Sequence, residues 1–259
     1  MIALRVLRNA ALLELQQLAV STFMIFCVLV QPFFIAVTVM FMIRHRPDFD
    51  PVYVVVGSAL SGLWSVVLFE GNWIVGGERW MGTLELLVGS PTPVMLVIAG
   101  RLLGAMAFSL ISLVANYAVG AWLFGYEIGV VDPVGFVVSL LLTILALWAM
   151  GIFLAPLGIL SRMVGQFINV LEYPVYALSG FLFPILLLPG WTHPLSYALP
   201  PYWAATALHL TGSGAGEARS LPELWAILVL SSVALVLVSR PFFALVLRRA
   251  KVDGTLQLA

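Results

Sequence analysis

Six long runs of apolar residues restrict the folds that this chain can adopt. A bilayer core is crossed by about 20 apolar residues in a helix. Backbone N–H and C=O groups inside lipid must be satisfied within the segment, so apolar runs of this length predict membrane-spanning helices. The six predicted spans cover residues 18–43, 52–75, 102–124, 134–160, 164–188 and 222–247. A β-barrel is disfavoured, because its strands alternate polar and apolar residues.

The composition agrees with an all-α membrane protein. Of the 259 residues, 62% are hydrophobic and only 9% are charged, whereas a soluble domain carries roughly 25% charged residues. A soluble protein of this length could not hide so much apolar surface from water. The formal net charge is zero, so no basic field points to nucleic acid. The single cysteine, Cys27, excludes a disulfide within the chain. We therefore expect one transmembrane domain over residues 1–259.

The distribution of arginine and lysine predicts the orientation. Loops on the cytoplasmic side of a membrane carry an excess of these residues. With both termini in the cytoplasm, eight basic residues lie inside: Arg5, Arg8, Arg79, Arg101, Arg162, Arg248, Arg249 and Lys251. Three lie outside: Arg44, Arg46 and Arg219. The bias predicts a multi-pass protein of the cell's inner (plasma) membrane with both ends cytoplasmic.

Two segments outside the spans predict further helices. Residues 1–17 place Arg5, Arg8, Asn9 and Gln16 within about one third of a helical circumference, which suits a helix lying in the membrane surface. A simple helical extension of the first span is the alternative. Residues 189–221 begin with many Pro, Trp and Tyr residues, which favours short helices at the outer interface before the last span.

The inner loop, residues 76–100, reads GGERWMGTLELLVGSPTPVMLVIAG. Two sets of residues recur in it at helical spacing: Glu78, Gly82 and Glu85 on one face, and Met81, Leu84 and Val88 on another, with Leu87 beside them. Pro91 and Pro93 end the segment. The spacing predicts a short amphipathic helix on the cytoplasmic side. Its apolar face is offered either to the membrane surface or to a partner.

This loop resembles that of the type-2 ABC exporter permeases. Members of the family carry a Glu-Arg-x-x-Gly-Thr-Leu-Glu-like stretch and then Pro between the second and third spans. The matching residues here are Glu78, Arg79, Gly82, Thr83, Leu84, Glu85 and Pro91. The broken segment before the last span is similar to the family's paired extracellular helices. Trp80 departs from the pattern, since many members have an acidic or polar residue there, and the outer segment is compact.

The resemblance implies a membrane permease subunit of an ATP-driven exporter. It implies a separate cytosolic ABC ATPase subunit that holds ATP and Mg, and a second permease, identical or different, with the translocation path at the dimer interface. The loop helix would be the coupling helix that contacts the ATPase. The residues that it assigns to coupling are Glu78, Arg79, Met81, Gly82, Thr83, Leu84, Glu85 and Leu87.

The sequence contains no motif for catalysis by the chain itself. The only lysine is Lys251, and no GxxxxGK phosphate-binding loop occurs, so ATP hydrolysis belongs to another chain. The three histidines, His45, His193 and His209, lack the i, i+4 spacing of a helical metal site. No GxSxG occurs. We expect no catalytic residue, no metal site and no cofactor in this chain.

Polar residues inside the predicted spans are candidates for a substrate path. Ionisable groups in lipid are costly, so they face a bundle interior or a cavity. The resemblance implies a path lined by spans two and five, and the candidates there are Glu70, Asn72, Asn169, Glu172, Tyr173 and Tyr176. Interhelical hydrogen bonding without a transport role is the alternative. Gln31–Pro32 predicts a kink in the first span.

Three buried charges are predicted at one depth. Glu70, Glu172 and Arg240 each lie eight to ten residues from the cytoplasmic end of a span, or roughly 10–15 Å at 1.5 Å per residue. Because pairing lowers the cost of burial, we expect Arg240 to bond Glu70 or Glu172. Arg101 is the next candidate partner for Glu70. The alternative is that Arg240 extends along its stem to the headgroups.

Other functional classes remain open. An ion- or proton-coupled secondary transporter would favour an internal repeat with broken mid-membrane helices, and no clear repeat occurs. An intramembrane enzyme would need a converging nucleophile and base, or metal ligands. A membrane scaffold without transport activity is also compatible with the sequence.

Overall fold

The structure is a computed structural model that describes residues 2–43, 50–125, 129–160, 169–214 and 219–252. Within these ranges the regular elements are helices and no strand occurs. The α-helices are α1 (Ile2–Val20), α2 (Thr22–Ile25), α3 (Gln31–Ile43), α4 (Pro51–Trp80), α5 (Leu84–Gly89), α6 (Val94–Ala118), α7 (Pro133–Leu154), α8 (Leu157–Leu160), α9 (Glu172–Leu178), α10 (His193–Ala198), α11 (Pro200–Ser213) and α12 (Leu221–Val252).

Five helical stretches in the described part of the chain are long and apolar enough to cross a membrane. They are Thr22–Met42, Pro51–Trp80, Val94–Leu123, Pro133–Ile159 and Leu221–Ala250. They correspond to predicted spans one to four and six, and several run beyond the predicted ends. The multi-pass, all-helical character is therefore confirmed in its coarser form.

The predicted fifth span, residues 164–188, does not appear as one helix. Residues 161–168 lie outside the described part of the chain. Beyond them α9 ends at Leu178, and the backbone turns at Gly180, whose φ is +66°. A left-handed φ favours glycine and does not continue a helix. The helix thus stops about three turns before the predicted end.

Helix α1 is separate from the first span, so it is not the simple extension considered above. Ser21 between α1 and α2 has an extended backbone, and its hydroxyl accepts a hydrogen bond from Met24 N at 3.4 Å. A serine in this position caps the helix that follows it. The span then contains a π-helical turn, Phe26–Val30, immediately before Gln31–Pro32. A π turn is a known cause of kinks, and the kink at Gln31–Pro32 stays a prediction.

Helix α1 packs closely along α6, and two glycines make this possible. A Cβ at Gly100 would lie 2.7 Å from the Leu7 carbonyl oxygen. A Cβ at Gly104 would lie 2.3 Å from the Ala11 carbonyl oxygen. Small residues let helix backbones approach in this way. The two helices therefore form one packed unit.

Helix α4 is the centre of the bundle. In the most apolar part of this helix, 94% of the residues are buried within the protein. The helices that pack against α4 include α3, α6, α7 and α11. Asp50 caps its start by accepting from Val52 N at 2.9 Å. One end of the bundle, here called the α5 end, contains α1, α5, the end of α4 and the end of α12. The opposite end, the α11 end, contains α10, α11 and the start of α4.

Candidate functional site

A charged cluster at the α5 end joins three helices through Arg101 on α6. Its Nε donates to a carboxylate oxygen of Glu14 on α1. Its two terminal nitrogens donate to Glu78 Oε1 on α4 and to Gln17 Oε1 on α1, each at 3.1 Å. The planar guanidinium presents several donors in fixed directions, which suits three acceptors on two helices.

Burial makes this cluster sensitive to change. The side chain of Glu14 is 1% exposed and that of Glu78 is 20% exposed. Removing one partner from a buried ion pair leaves an uncompensated charge. The cluster therefore fixes α1 and the end of α4 to the base of α6.

Sequence reasoning did not identify Glu14 as part of a site. It lies on the buried face of α1 with Ala10 and Leu18, at a spacing of four residues. Residues four apart share a helix face. A carboxylate at the same spacing as the apolar residues of that face is the sequence pattern that could have identified Glu14. Its partner, however, comes from a helix more than 80 residues away in the chain.

The inner loop is not one continuous helix, although the helical spacing of its residues ran from Glu78 to Val88. Helix α4 continues to Trp80, and α5 begins only at Leu84. Between them Gly82 has φ +72°. The Thr83 hydroxyl donates to the Glu78 carboxylate, and Thr83 N donates to Glu78 O at 2.9 Å. These bonds fold the loop back onto the end of α4.

The break changes which side chains face outward. Leu84 is buried, and Leu87 and Val88 are half-buried against the core that contains it. Thus the predicted apolar face is largely covered. The exposed side chains are Trp80, Met81, Glu85 and Leu86, here called the loop surface. Leu86, which is 74% exposed, was absent from the predicted set.

Arg79 does not belong to the loop surface either. It is buried, and its guanidinium donates to the carbonyl oxygen of Ile159 in α8. Because α4 remains helical through Trp80, Arg79 points into the bundle. It ties the end of α4 to the end of the fourth span, and a direct partner contact by its guanidinium is not compatible with this position.

A second polar network lies inside the bundle around Glu172. Its Oε1 is 2.7 Å from each of three donors: Gln31 Nε2, Ser65 Oγ and Tyr176 OH. The tyrosine hydroxyl is also 3.1 Å from Ser61 O. A buried carboxylate is tolerated when its oxygens accept such bonds. The network links α3, α4 and α9, which favours the interhelical hydrogen-bonding interpretation for Glu172 and Tyr176.

The remaining candidates for a substrate path differ in burial and in surroundings. Asn72 is half-buried, and its Oδ1 lies 3.0 Å from the position that a Cβ of Gly158 would take. Asn169 is half-buried, with an Oδ1 that has no hydrogen-bond partner among the described residues. Tyr173 is exposed. Glu70 lies at the α5 end beside the charged cluster.

The predicted pairing of Arg240 is not formed. Arg240 is exposed on α12, whereas Glu70 and Glu172 are buried. Among the residues that the structure describes, the ion pairs are those of Arg101 with Glu14 and Glu78. Arg101, the second candidate partner for Glu70, does lie on the same cavity as that carboxylate. A shared depth did not bring the charges together, because α12 turns Arg240 outward.

The α11 end contains a buried histidine. The ring of His209 stacks on that of Tyr53, with centroids 3.6 Å apart and planes 4° from parallel. Tyr53 OH donates to Gly180 O at 2.9 Å. Neither nitrogen of His209 forms a hydrogen bond of ordinary geometry within the described ranges. Burial lowers the pKa of His209 to about 3, only partly opposed by the nearby carbonyl groups of Phe181 and Gly180. The ring is therefore neutral at physiological pH.

Neither candidate metal sites nor matches to known proteins point to a function. No group of three or more His, Cys, Asp or Glu side chains in the described ranges is arranged to hold a metal ion. His193 is 3.2 Å from Ile185 O through Nε2, and His45 lies outside these ranges. The chain matches no protein-family model and no curated protein.

Proposed function

We propose that this chain is the membrane permease subunit of an ATP-driven ABC exporter. It would act with a second permease and with a separate cytosolic ATPase that holds ATP and Mg. The observation that carries the proposal is the loop surface at the end of α4 and on α5, between the second and third spans, within the GERWMGTLELL sequence. An exposed apolar surface at a bundle end marks a contact site for a partner or a membrane.

The attachment of the loop supports a role in transmitting motion. Leu84 is inserted into a core with Ile98 of α6 and Val246 of α12. Glu78 is bonded to Arg101, and Arg79 to Ile159. Packed interiors transmit displacement rather than absorb it. A force on the loop surface would therefore move the ends of the second, third, fourth and last spans together.

Charge distribution supports a cytoplasmic α5 end. The described arginines at this end are Arg5, Arg8, Arg79, Arg101, Arg248 and Arg249. At the α11 end Arg219 lies over the Trp203 ring, 4.8 Å from its centroid. Arg44, Arg46 and Arg162 lie outside the described ranges. By the positive-inside tendency, this excess favours a cytoplasmic position for both termini.

The proposal assigns fewer residues to substrate contact than the sequence analysis did. Tyr173 is exposed on α9, next to the buried Glu172, and can reach a space between two copies of the chain. Glu172 and Tyr176 hold α9 against α3 and α4. In this proposal Tyr173 contacts substrate, and the Glu172 network positions the helix that carries it.

The decisive experiment uses two leucines with the same exposure. Leu86 on the loop surface and Leu186 near the α11 end are both 74% exposed. The full chain is purified from its native membrane with its partners, and ATP hydrolysis is measured. We expect Leu86→Glu to remove the copurifying ATPase activity, because a charge disrupts an apolar contact, and Leu186→Glu to retain it. Wild-type protein without ATPase activity, or a Leu86→Glu complex that keeps it, contradicts the proposal.

A further inference from the structure

A cavity of about 260 Å³ opens at the α5 end between α1, α4 and α6. It is lined by the three residues that form the two ion pairs of the charged cluster, and by residues outside that cluster. The lining residues that matter here are Glu14, Glu70, Glu78, Arg101, Trp73 and Trp80. Sequence reasoning placed Glu70 in a substrate path, but this cavity lies at the end of the bundle.

Acidic side chains outnumber basic ones in the cavity. Three carboxyl groups line it beside one guanidinium. Arg101 bonds Glu14 and Glu78. Glu70 is 2% exposed, and its Oε2 has no hydrogen-bond partner within the described residues. Its carboxyl group lies next to that of Glu14. Contacting carboxylates repel unless a cation or a proton lies between them.

The remaining walls suit an organic cation. Trp73 and Trp80 line the same cavity and are exposed. An indole face attracts ammonium groups through its quadrupole, and a nearby carboxylate adds a direct charge interaction. Drug-sized ligands need cavities of about 300–1,000 Å³. A cavity of about 260 Å³ fits a small amine or a single headgroup.

We propose that this cavity binds an ammonium group, supplied either by a small soluble amine or by the headgroup of an aminophospholipid. The ammonium lies beside the Glu70 carboxyl group and against the tryptophan faces. Arg101 holds Glu14 and Glu78 in place around it. The inference does not depend on the proposed exporter function, because binding needs only this chain.

The test measures binding to the full chain in lipid nanodiscs. Nanodiscs of phosphatidylglycerol alone contain no ammonium group, so calorimetric titration with tetramethylammonium chloride or ethanolamine reports the cavity directly. We expect saturable binding that sodium chloride at equal ionic strength does not reproduce. Glu70→Gln keeps the shape but removes a charge, and should weaken binding at least about tenfold, since a charge pair at 4 Å is a large term even with screening.

Two further variants separate a lost site from a damaged fold. Trp73→Leu alters an exposed ring and should also weaken binding, by about threefold to tenfold. Glu223→Gln makes the same chemical change as Glu70→Gln at the start of α12, on the opposite end of the bundle, and should leave binding unchanged. Each variant is compared after confirming the wild-type melting temperature.

A second set of nanodiscs identifies the source of the ammonium. If a lipid supplies it, adding phosphatidylethanolamine blocks the soluble amine, and native mass spectrometry finds this lipid retained by wild type and lost from Glu70→Gln. If a soluble amine supplies it, the titration is unchanged by that lipid. The proposal is overturned if neither probe binds, if sodium competes equally, or if Glu70→Gln binds as wild type does.

Discussion

Replacing Arg101 with methionine tests whether the charged cluster holds the α5 end together. Methionine preserves most of the apolar volume of the stem, so the change removes mainly the guanidinium. Glu14, whose side chain is 1% exposed, then loses its cation and has little access to water. Glu78, whose side chain is 20% exposed, can recover part of its hydration.

The magnitude follows from this difference in burial. Breaking a buried pair by removing one partner costs about 3–5 kcal/mol, and most of that cost falls on Glu14. Neutralising the stranded group should reverse part of it. The double variant Arg101→Met/Glu14→Gln is therefore expected to recover about 2 kcal/mol, the range of one charge-assisted hydrogen bond.

Equilibrium unfolding of the purified chain in mixed micelles, followed by tryptophan fluorescence, measures these free energies. Arg240→Met is the matched control, because Arg240 is exposed and forms no ion pair among the described residues. It should stay within about 0.5 kcal/mol of wild type. The reasoning fails if Arg101→Met costs less than about 1 kcal/mol, or if Glu14→Gln rescues nothing.

Three other outcomes follow from the structure. A Cβ at Gly57 would lie 1.7 Å from a backbone carbonyl oxygen, whereas one at Gly76 would meet nothing within 4 Å. In the same unfolding assay, Gly57→Ala should lower the free energy of unfolding by about 3 kcal/mol or more, and Gly76→Ala should raise it by about 0.5–1 kcal/mol. His209 stays neutral in the folded chain down to about pH 3 but is protonated below about pH 6.5 in the unfolded chain. The free energy of unfolding should therefore fall by about 2 kcal/mol between pH 6.5 and 5. If the stability of His209→Phe falls with the same slope over this pH range, the reasoning is wrong. In a cysteine-free background, Ser220→Cys should react with an impermeant maleimide added outside intact cells and Gly89→Cys should not; the reverse pattern overturns the orientation.

The spanning helices were predictable because their signal is local. A run of about 20 apolar residues identifies a span without knowledge of its neighbours, and five of the six runs correspond to helices in the structure. Their ends were less predictable, since α4 continues in helical form beyond Val75 to Trp80. The failure of the fifth run was foreseeable in part. Gly180 and Pro184 interrupt it, and both residues disfavour continued helix.

The site was less predictable because its contacts join distant segments. Arg101 and Glu14 are 87 positions apart, and the local sequence around either residue does not identify the other as its partner. The prediction for Arg240 used depth alone, which leaves the direction around the helix axis undetermined. The loop prediction used helical spacing across Gly82, where a positive φ ends the helix. For the two arginines the missing information was the direction in which one helix faces another.

The enclosure of α4 has a consequence for the order in which the chain matures. During synthesis α4 is made before α6, α7 and α11, the helices that later cover it. Until they arrive, its buried polar side chains, among them Ser58, Ser65 and Glu70, face lipid, where such groups are costly. A nascent chain that stops after α5 thus contains its least lipid-compatible helix without a cover. Ribosome stalling or truncation soon after α5 would turn α4 into a substrate for membrane quality control.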